Sequence, residues 1–288
     1  MSTLPRMARA RGIRMRGAAL IACVALGATT APARAQAPRV VAVRAYDYGF
    51  RSPASIPAGT ITFRLTNGGK EVHHLWIVRL NEGKTPAEFM KAMNAWGSAL
   101  KMPAWAVDVG GPNNVGAGET AEGTMTLDPG TYMLVCWVQS PDGRPHVMKG
   151  MIKSLAVTAQ GATAPAEPKA DVVMTLDDYS FTLSNPIKAG RRTIRFENRA
   201  NQTHEAVIAR LLPDKTLTQA IVWMNEGQAG PPPVEMLGGA SGIAKGRHMF
   251  ITADFAPGTY VLLCFIPDVK TGKPHSAHGM AKEIKIEP

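Results

Sequence analysis

Two cysteines carry the chemistry open to this chain. Cys136, His146 and Met151 form one set, and Cys264, His275 and Met280 form another. Nine residues separate Cys from His in the first set and ten in the second, and four separate His from Met in both. A single His precedes each set at a distance: His73 and His204. Two imidazole nitrogens and a thiolate in one plane, with a weak thioether on the axis, make a blue-copper electron-transfer site. Thiolate and thioether stabilise Cu(I), while imidazole suits both oxidation states. A site held between the two preferred geometries rearranges little when an electron moves. The expected metal ligands are therefore His73, Cys136, His146 and Met151, then His204, Cys264, His275 and Met280, with one copper per half.

The elements that must position these residues repeat along the chain. Residues 40–80 align without gaps on 171–211, an offset of 131, with 14 of 41 positions identical. Tyr48/Tyr179, Asn67/Asn198 and His73/His204 are among them. Further on, Pro129-Gly-Thr-Tyr-Met-Leu-Val-Cys136 matches Pro257-Gly-Thr-Tyr-Val-Leu-Leu-Cys264. The segment 159–170 (AQGATAPAEPKA) has the small, polar, Pro-bearing composition of a linker. Two domains are expected, 38–158 and 171–288.

Each half reads as short strands: 40–46, 60–66, 73–80, 120–127 and 131–135, then 172–176, 193–197, 204–211, 248–255 and 259–263. One helix interrupts each half. Thr85-Pro-Ala-Glu88 and Thr216-Leu-Thr-Gln219 are capping boxes that open helices running to about Trp96 and Asn225. The Gly238–Gly242 stretch reads as loop. The fold class expected is all-β: two tandem Greek-key β-sandwiches, each with one short inserted helix.

Pro-Gly-Thr-Tyr-x-Leu-x-Cys, followed by a His and a Met before a final strand, resembles the cupredoxin (blue copper) family. The resemblance implies a Greek-key sandwich, an early lone His ligand, three ligands on one loop and an intense visible thiolate-to-copper absorption. The long Cys-to-His spacing is similar to the ligand loop of the copper nitrite reductases, which are also two-domain cupredoxins. The likeness is one of motifs across 38–288 rather than continuous identity.

The chain departs from that family in two places. Nitrite reductases and multicopper oxidases set a His beside the Cys to feed a catalytic copper centre. Here the neighbours are Val135 and Trp137, and Leu263 and Phe265, with no His-x-His pair. The parts for nitrite or oxygen reduction are missing, and a carrier is expected rather than an enzyme. In many blue-copper proteins an Asn follows the first His and steadies the Cys loop. Here His74 and Glu205 follow, which leaves that steadying without an evident source.

Other readings of these residues stay open in the sequence. On a strand His73 and His74 face opposite ways, and the repeat selects His73, with His74 exposed or behind the ligands. The two thiols could pair as one disulfide or lie inert in a scaffold that has lost its metal. Met148 and His278 lack a counterpart in the other half, and His248 reads as structural. Copper storage or delivery fits the same ligands as electron transfer. The partner is expected to be a redox protein or a copper donor or acceptor.

Composition narrows the classes further. The 288 residues are 45% hydrophobic and 19% charged, a packed globular balance. The net charge of +10 is inflated by six Arg among residues 1–35, which hold no Asp or Glu; beyond them the balance is 26 − 22 = +4. No basic block of the nucleic-acid-binding kind is present. No phosphate loop, zinc-protease or nucleophile-elbow motif occurs. No apolar run reaches membrane-spanning length. Residues 1–35 read as a secretory signal: an Arg-rich start, an apolar stretch at about 18–28, and Ala33-Arg34-Ala35 before Gln36. A lipobox reading ends on Cys23. The mature chain is expected in a periplasm or outside the cell.

Overall fold

The computed structural model describes residues 37–95, 102–160 and 165–288. The expected signal segment, Cys23, Trp96 and the middle of the linker lie outside the described residues. The first half runs β1 (Arg39–Tyr46), β2 (Gly49–Arg51), β3 (Ser55–Pro57), β4 (Gly59–Asn67), β5 (Trp76–Leu80), α1 (Pro86–Ala95), β6 (Ala106–Gly110), β7 (Thr120–Leu127), β8 (Gly130–Val135) and β9 (Ile152–Thr158). The second runs β10 (Val172–Asp177), β11 (Ser180–Leu183), β12 (Gly190–Asn198), β13 (His204–Leu211), α2 (Leu217–Asn225), β14 (Val234–Ile243), β15 (His248–Phe255), β16 (Gly258–Leu263) and β17 (Ala281–Ile286).

Alternation decides which face each strand buries. In β1 Val41, Val43 and Ala45 point inward, and in β4 Ile61, Phe63 and Leu65 do the same. Strands β5, β8, β13 and β16 are apolar on both faces because they lie in a middle layer. Tyr132 and Leu134 of β8 join the sandwich core, while Met133 and Val135 pack toward Phe89 and Met93 of α1. Val261 and Leu263 of β16 likewise meet Ala220 and Met224 of α2. Both helices thus cover the outer face of one sheet. Both capping boxes form: Thr85 N–H donates to Glu88 Oε2 at 2.9 Å, and Thr216 N–H to Gln219 Oε1 at 2.9 Å.

The strands make an eight-stranded sheet, order β11-β10-β12-β15-β7-β4-β1-β2, facing a nine-stranded sheet, order β17-β16-β13-β14-β6-β5-β8-β9-β3. Each sheet draws strands from both halves. β15 pairs with β7 through Phe250↔Thr124 and Ile251↔Gly123, and β14 pairs with β6 through Ile243↔Val109. The described residues form one compact unit. The described part of the linker lies against the eight-stranded sheet: Thr60 donates to Pro165 O at 2.6 Å, and Glu167 pairs with His248 at 2.8 Å.

Two elements differ from their sequence reading: the strand expected over 73–80 begins only at Trp76, leaving His73 and His74 before it, and the loop expected at 238–242 is strand. Gly238–Gly242 is not a loop but the middle of β14. Gly238 (φ 93°) and Gly239 (φ 114°) take left-handed backbone where the β13–β14 register shifts. At Gly242 a Cβ would overlap the Trp76 ring of the other half. These glycines serve close approach, which composition alone reads as punctuation. No helix among the described residues is long and apolar enough to cross a membrane.

Candidate metal centres

Each ligand set gathers where the sandwich core meets one end of the sheets. In the first half, β8 delivers Cys136 at its C-terminal end. The following loop turns at Asp142-Gly143, where Asp142 accepts from Arg144 N–H at 3.0 Å. The loop re-enters at a short helical turn, His146–Lys149. Backbone bonds close it on itself: Val147 N–H to Cys136 O at 2.8 Å, Cys136 N–H to Met151 O at 3.2 Å, and Met151 N–H to His146 O at 3.0 Å. His73 comes from the segment before β5, bridged to Val115. Asn67 pins that segment by donating to Glu71 O at 2.7 Å and Val115 O at 2.9 Å. The second half repeats this: Cys264 ends β16, the Met280 and His275 bonds recur at 3.1 and 3.0 Å, and Asn198 donates to Gln202 O and Ile243 O.

The structure brings His73, Cys136 and His146 together, and likewise His204, Cys264 and His275, with the ligand atoms of each group within 4.8 Å of one another. All six residues are fully buried. In the first group His73 Nδ1 and His146 Nδ1 are 3.0 Å apart, and Cys136 Sγ is 3.5 Å from His146 Nδ1. In the second, Cys264 Sγ is 3.4 Å from His275 Nδ1 and 3.9 Å from His204 Nδ1. A first-row ion bonded at about 2.0–2.3 Å to imidazole and thiolate in a plane holds such atoms about 3.5–3.9 Å apart, a range the sulfur–nitrogen distances meet while the two Nδ1 atoms of the first group lie closer, at 3.0 Å. Met151 and Met280 are fully buried in the same core cluster as the two cysteines. Met148 instead packs with the helix-side cluster. His278 bonds Thr271 Oγ1 at 2.8 Å, and His248 pairs with the linker; neither belongs to a group. The cysteines are both free, so the disulfide alternative does not hold.

The outer nitrogens explain why the inner ones converge. His73 Nε2 donates to Asp47 Oδ1 at 2.7 Å, His146 Nε2 to Glu71 Oε2 at 2.8 Å, and His204 Nε2 to Asp178 Oδ1 at 3.1 Å. A carboxylate only accepts, so Nε2 carries the proton and Nδ1 presents its lone pair inward. Burial lowers the pKa of His73, His146 and His204, more than their acidic partners raise it. Burial, then the nearby His204, lowers His275 to about 4. The rings are therefore neutral bases. In the first group two lone pairs face each other at 3.0 Å beside a sulfur, a donor set that suits a cation. Burial also pushes the Cys136 thiol up to about 12 and raises Cys264, so a thiolate persists there only against a bound positive ion.

Sequence reasoning missed the residues behind the ligands. Asp47 and Asp178 occupy the same repeat position, one of the identities at offset 131, and Glu71 corresponds to Gln202. The repeat held that signal. His74 is buried rather than exposed, and it does the steadying that no Asn supplies: its Nε2 accepts from Trp137 N–H at 2.8 Å. Glu205 does the same for Phe265 N–H at 2.9 Å. Their own N–H groups point at the sulfurs, 3.5 Å from Cys136 Sγ and 3.5 Å from Cys264 Sγ. Both Cys loops are thus held in place by the residue after the first His.

No protein-family model and no curated protein matches the chain. Among solved structures it is similar to a copper-containing nitrite reductase from Thermus scotoductus SA-01, at 15% identity over 87% of this chain with a TM-score of 0.27. The chain spans 62% of that nitrite reductase. It is also similar to auracyanin from Roseiflexus castenholzii, at 26% identity over 40% of this chain and 95% of that one, TM-score 0.29. Auracyanin A from Chloroflexus aurantiacus matches at 23% identity over 42% of this chain and all of that one, TM-score 0.30. At scores this low none of these likenesses adds to the site geometry.

Proposed function

We propose that the chain is an exported copper protein that carries electrons, with one type 1 copper in each of two tandem cupredoxin-like units, 38–158 and 171–288. The observation that carries this reading is the pair of buried His/Cys/His groups whose Nδ1 and Sγ atoms converge. His73, Cys136, His146 and Met151 hold one ion, and His204, Cys264, His275 and Met280 hold the other. Bound copper supplies a one-electron couple. The protein supplies a fixed ligand frame: carboxylates and an amide on the outer imidazole nitrogens, and two N–H clamps on each Cys loop. Electron transfer is favoured over storage or delivery because the histidine and cysteine ligands are buried and held by second partners, which suits retention more than hand-over. The partner is a redox protein that docks near one ligand loop.

The test is to express the chain from Gln36, add Cu(II), remove the excess, and record the visible spectrum beside a metal count. An intense visible thiolate-to-copper band with two coppers per chain supports the reading. Bound copper without colour supports handling instead. No copper in either oxidation state rejects both.

A further inference from the structure

Three buried polar side chains lie in the seam between the halves, beside the two candidate metal centres. His74 stands beside His73, Glu205 beside His204, and Asn113 between them in the segment after β6. They are 4%, 5% and 0% exposed, in a seam that also buries Asp108 and Ser241. Burying a carboxylate there is costly: burial raises Glu205 to about 7, against the N–H of Phe265 and the Asn113 amide that favour its charged form.

Hydrogen bonds and short stretches of backbone join them in one line. His74 N–H points at Cys136 Sγ, and its ring accepts from Trp137 N–H, the residue after that cysteine. Leu75 N–H, one residue on from His74, donates to Pro112 O at 2.9 Å, the residue before Asn113. Asn113 Nδ2 donates to Glu205 Oε2 at 3.0 Å and to Ala240 O at 3.1 Å. Glu205 Oε1 accepts from Phe265 N–H, and Glu205 N–H points at Cys264 Sγ. The line starts at one thiolate, crosses the seam between the halves once, at Asn113–Glu205, and ends at the other thiolate. A second polar bridge, Asp108 accepting from Trp76 at 2.7 Å and from Thr203 at 2.9 Å, also crosses the seam. That bridge hydrogen-bonds neither sulfur nor the residue after either cysteine; the Trp76 ring instead packs edge-on against Trp137 at 6.4 Å, and Thr203 precedes His204.

We propose that His74, Asn113 and Glu205 form the route by which an electron passes between the two copper centres, so that the halves act as one two-electron carrier. The inference rests on the copper reading above. One electron leaves Cu(I) in one half and reduces Cu(II) in the other; no bond breaks and no proton moves. Asn113 is a positioning residue. It touches no ligand and completes the line.

The experiment uses the copper-loaded chain from Gln36 carrying Met280→Gln, an axial change that gives the second centre its own spectrum. A flash reduction delivers less than one electron per chain, and re-equilibration is followed as one band bleaches and the other recovers, at a rate independent of protein concentration. Asn113→Ala in that background is expected to slow re-equilibration by about tenfold, with two coppers and both bands kept. Glu205→Gln keeps an acceptor for Phe265 N–H but sets an amide N–H against Asn113, so it slows exchange similarly even where Asn113→Ala folds poorly. Asp108→Asn leaves the rate unchanged. In the metal-free chain, Asn113→Ala is expected to speed amide hydrogen exchange at both Trp137 and Phe265. Two bound coppers with an unchanged rate in both variants overturns this inference alone, as does slowing by Asp108→Asn only. A chain that takes up no copper overturns the copper reading and this one with it.

Discussion

His146 donates through Nε2 to the Glu71 carboxylate at 2.8 Å, whereas its counterpart His275 faces the Gln202 amide at 3.4 Å. The first centre therefore has a carboxylate behind each imidazole, and the second has one carboxylate and one amide. A carboxylate on the outer nitrogen makes the inner one a stronger donor and adds negative charge, which favours Cu(II). The first centre is expected to have the lower potential. Glu71→Gln raises that potential and weakens Cu(II) binding there by roughly 10-fold, while Gln202→Glu lowers the potential of the second. Redox titration followed at the visible bands measures both; equal potentials in the wild type would reject the argument.

Both sulfurs are inaccessible and unpaired. In the native metal-free chain from Gln36, thiol reagents should react slowly with Cys136 and Cys264, which are each 0% exposed, and unfolding should release two thiols. Cys136→Ser and Cys264→Ser each remove one copper and one share of the visible absorption, with the other centre intact. A single variant that empties both centres would show that the halves cannot hold metal separately.

Asp108 makes stability depend on pH. Burial raises its carboxyl from 3.8 to about 6, against hydrogen bonds from Trp76 and Thr203 that favour the charged form. The folded chain thus holds this proton more tightly than the unfolded one. The resulting stabilisation is fully present below about pH 4 and is lost as pH rises through about 6. A shift of this size corresponds to on the order of 3 kcal/mol. Asp108→Asn keeps an acceptor for Trp76 and does not titrate. Denaturant melts at pH 4 and pH 7 should show the wild type losing stability relative to the variant; parallel curves would count against it.

Gly242 sets how closely the halves pack. A Cβ there would overlap the Trp76 ring, which is itself buried and fixed by its bond to Asp108. Gly242→Ala is expected to cost about 1–3 kcal/mol, as overpacking does, and to lower the melting temperature while each centre keeps its copper. Calorimetry on the wild type should show one transition for the joined sheets; two separated transitions would mean that the seam contributes little.

The converging His and Cys residues, the internal repeat, both capping boxes and most strands were legible in the sequence alone. Each of these depends on local or evenly spaced signals: a period of two along a strand, a Ser/Thr-to-Glu/Gln spacing of three, a Cys-His-Met cadence met twice. Even Asp47 and Asp178 were legible, since they hold one repeat position. The roles of His74, Glu205, Asn113 and Gly242 were decided only by tertiary structure. Their partners lie far along the chain: Asn113 and Glu205 are 92 residues apart, and His74 meets the N–H of a residue 63 positions away. A buried polar residue is explained by the group that satisfies it, and a strand glycine by what presses against it. Those neighbours come into being only when β6 and β14 meet across the seam, so no pattern within either half could name them.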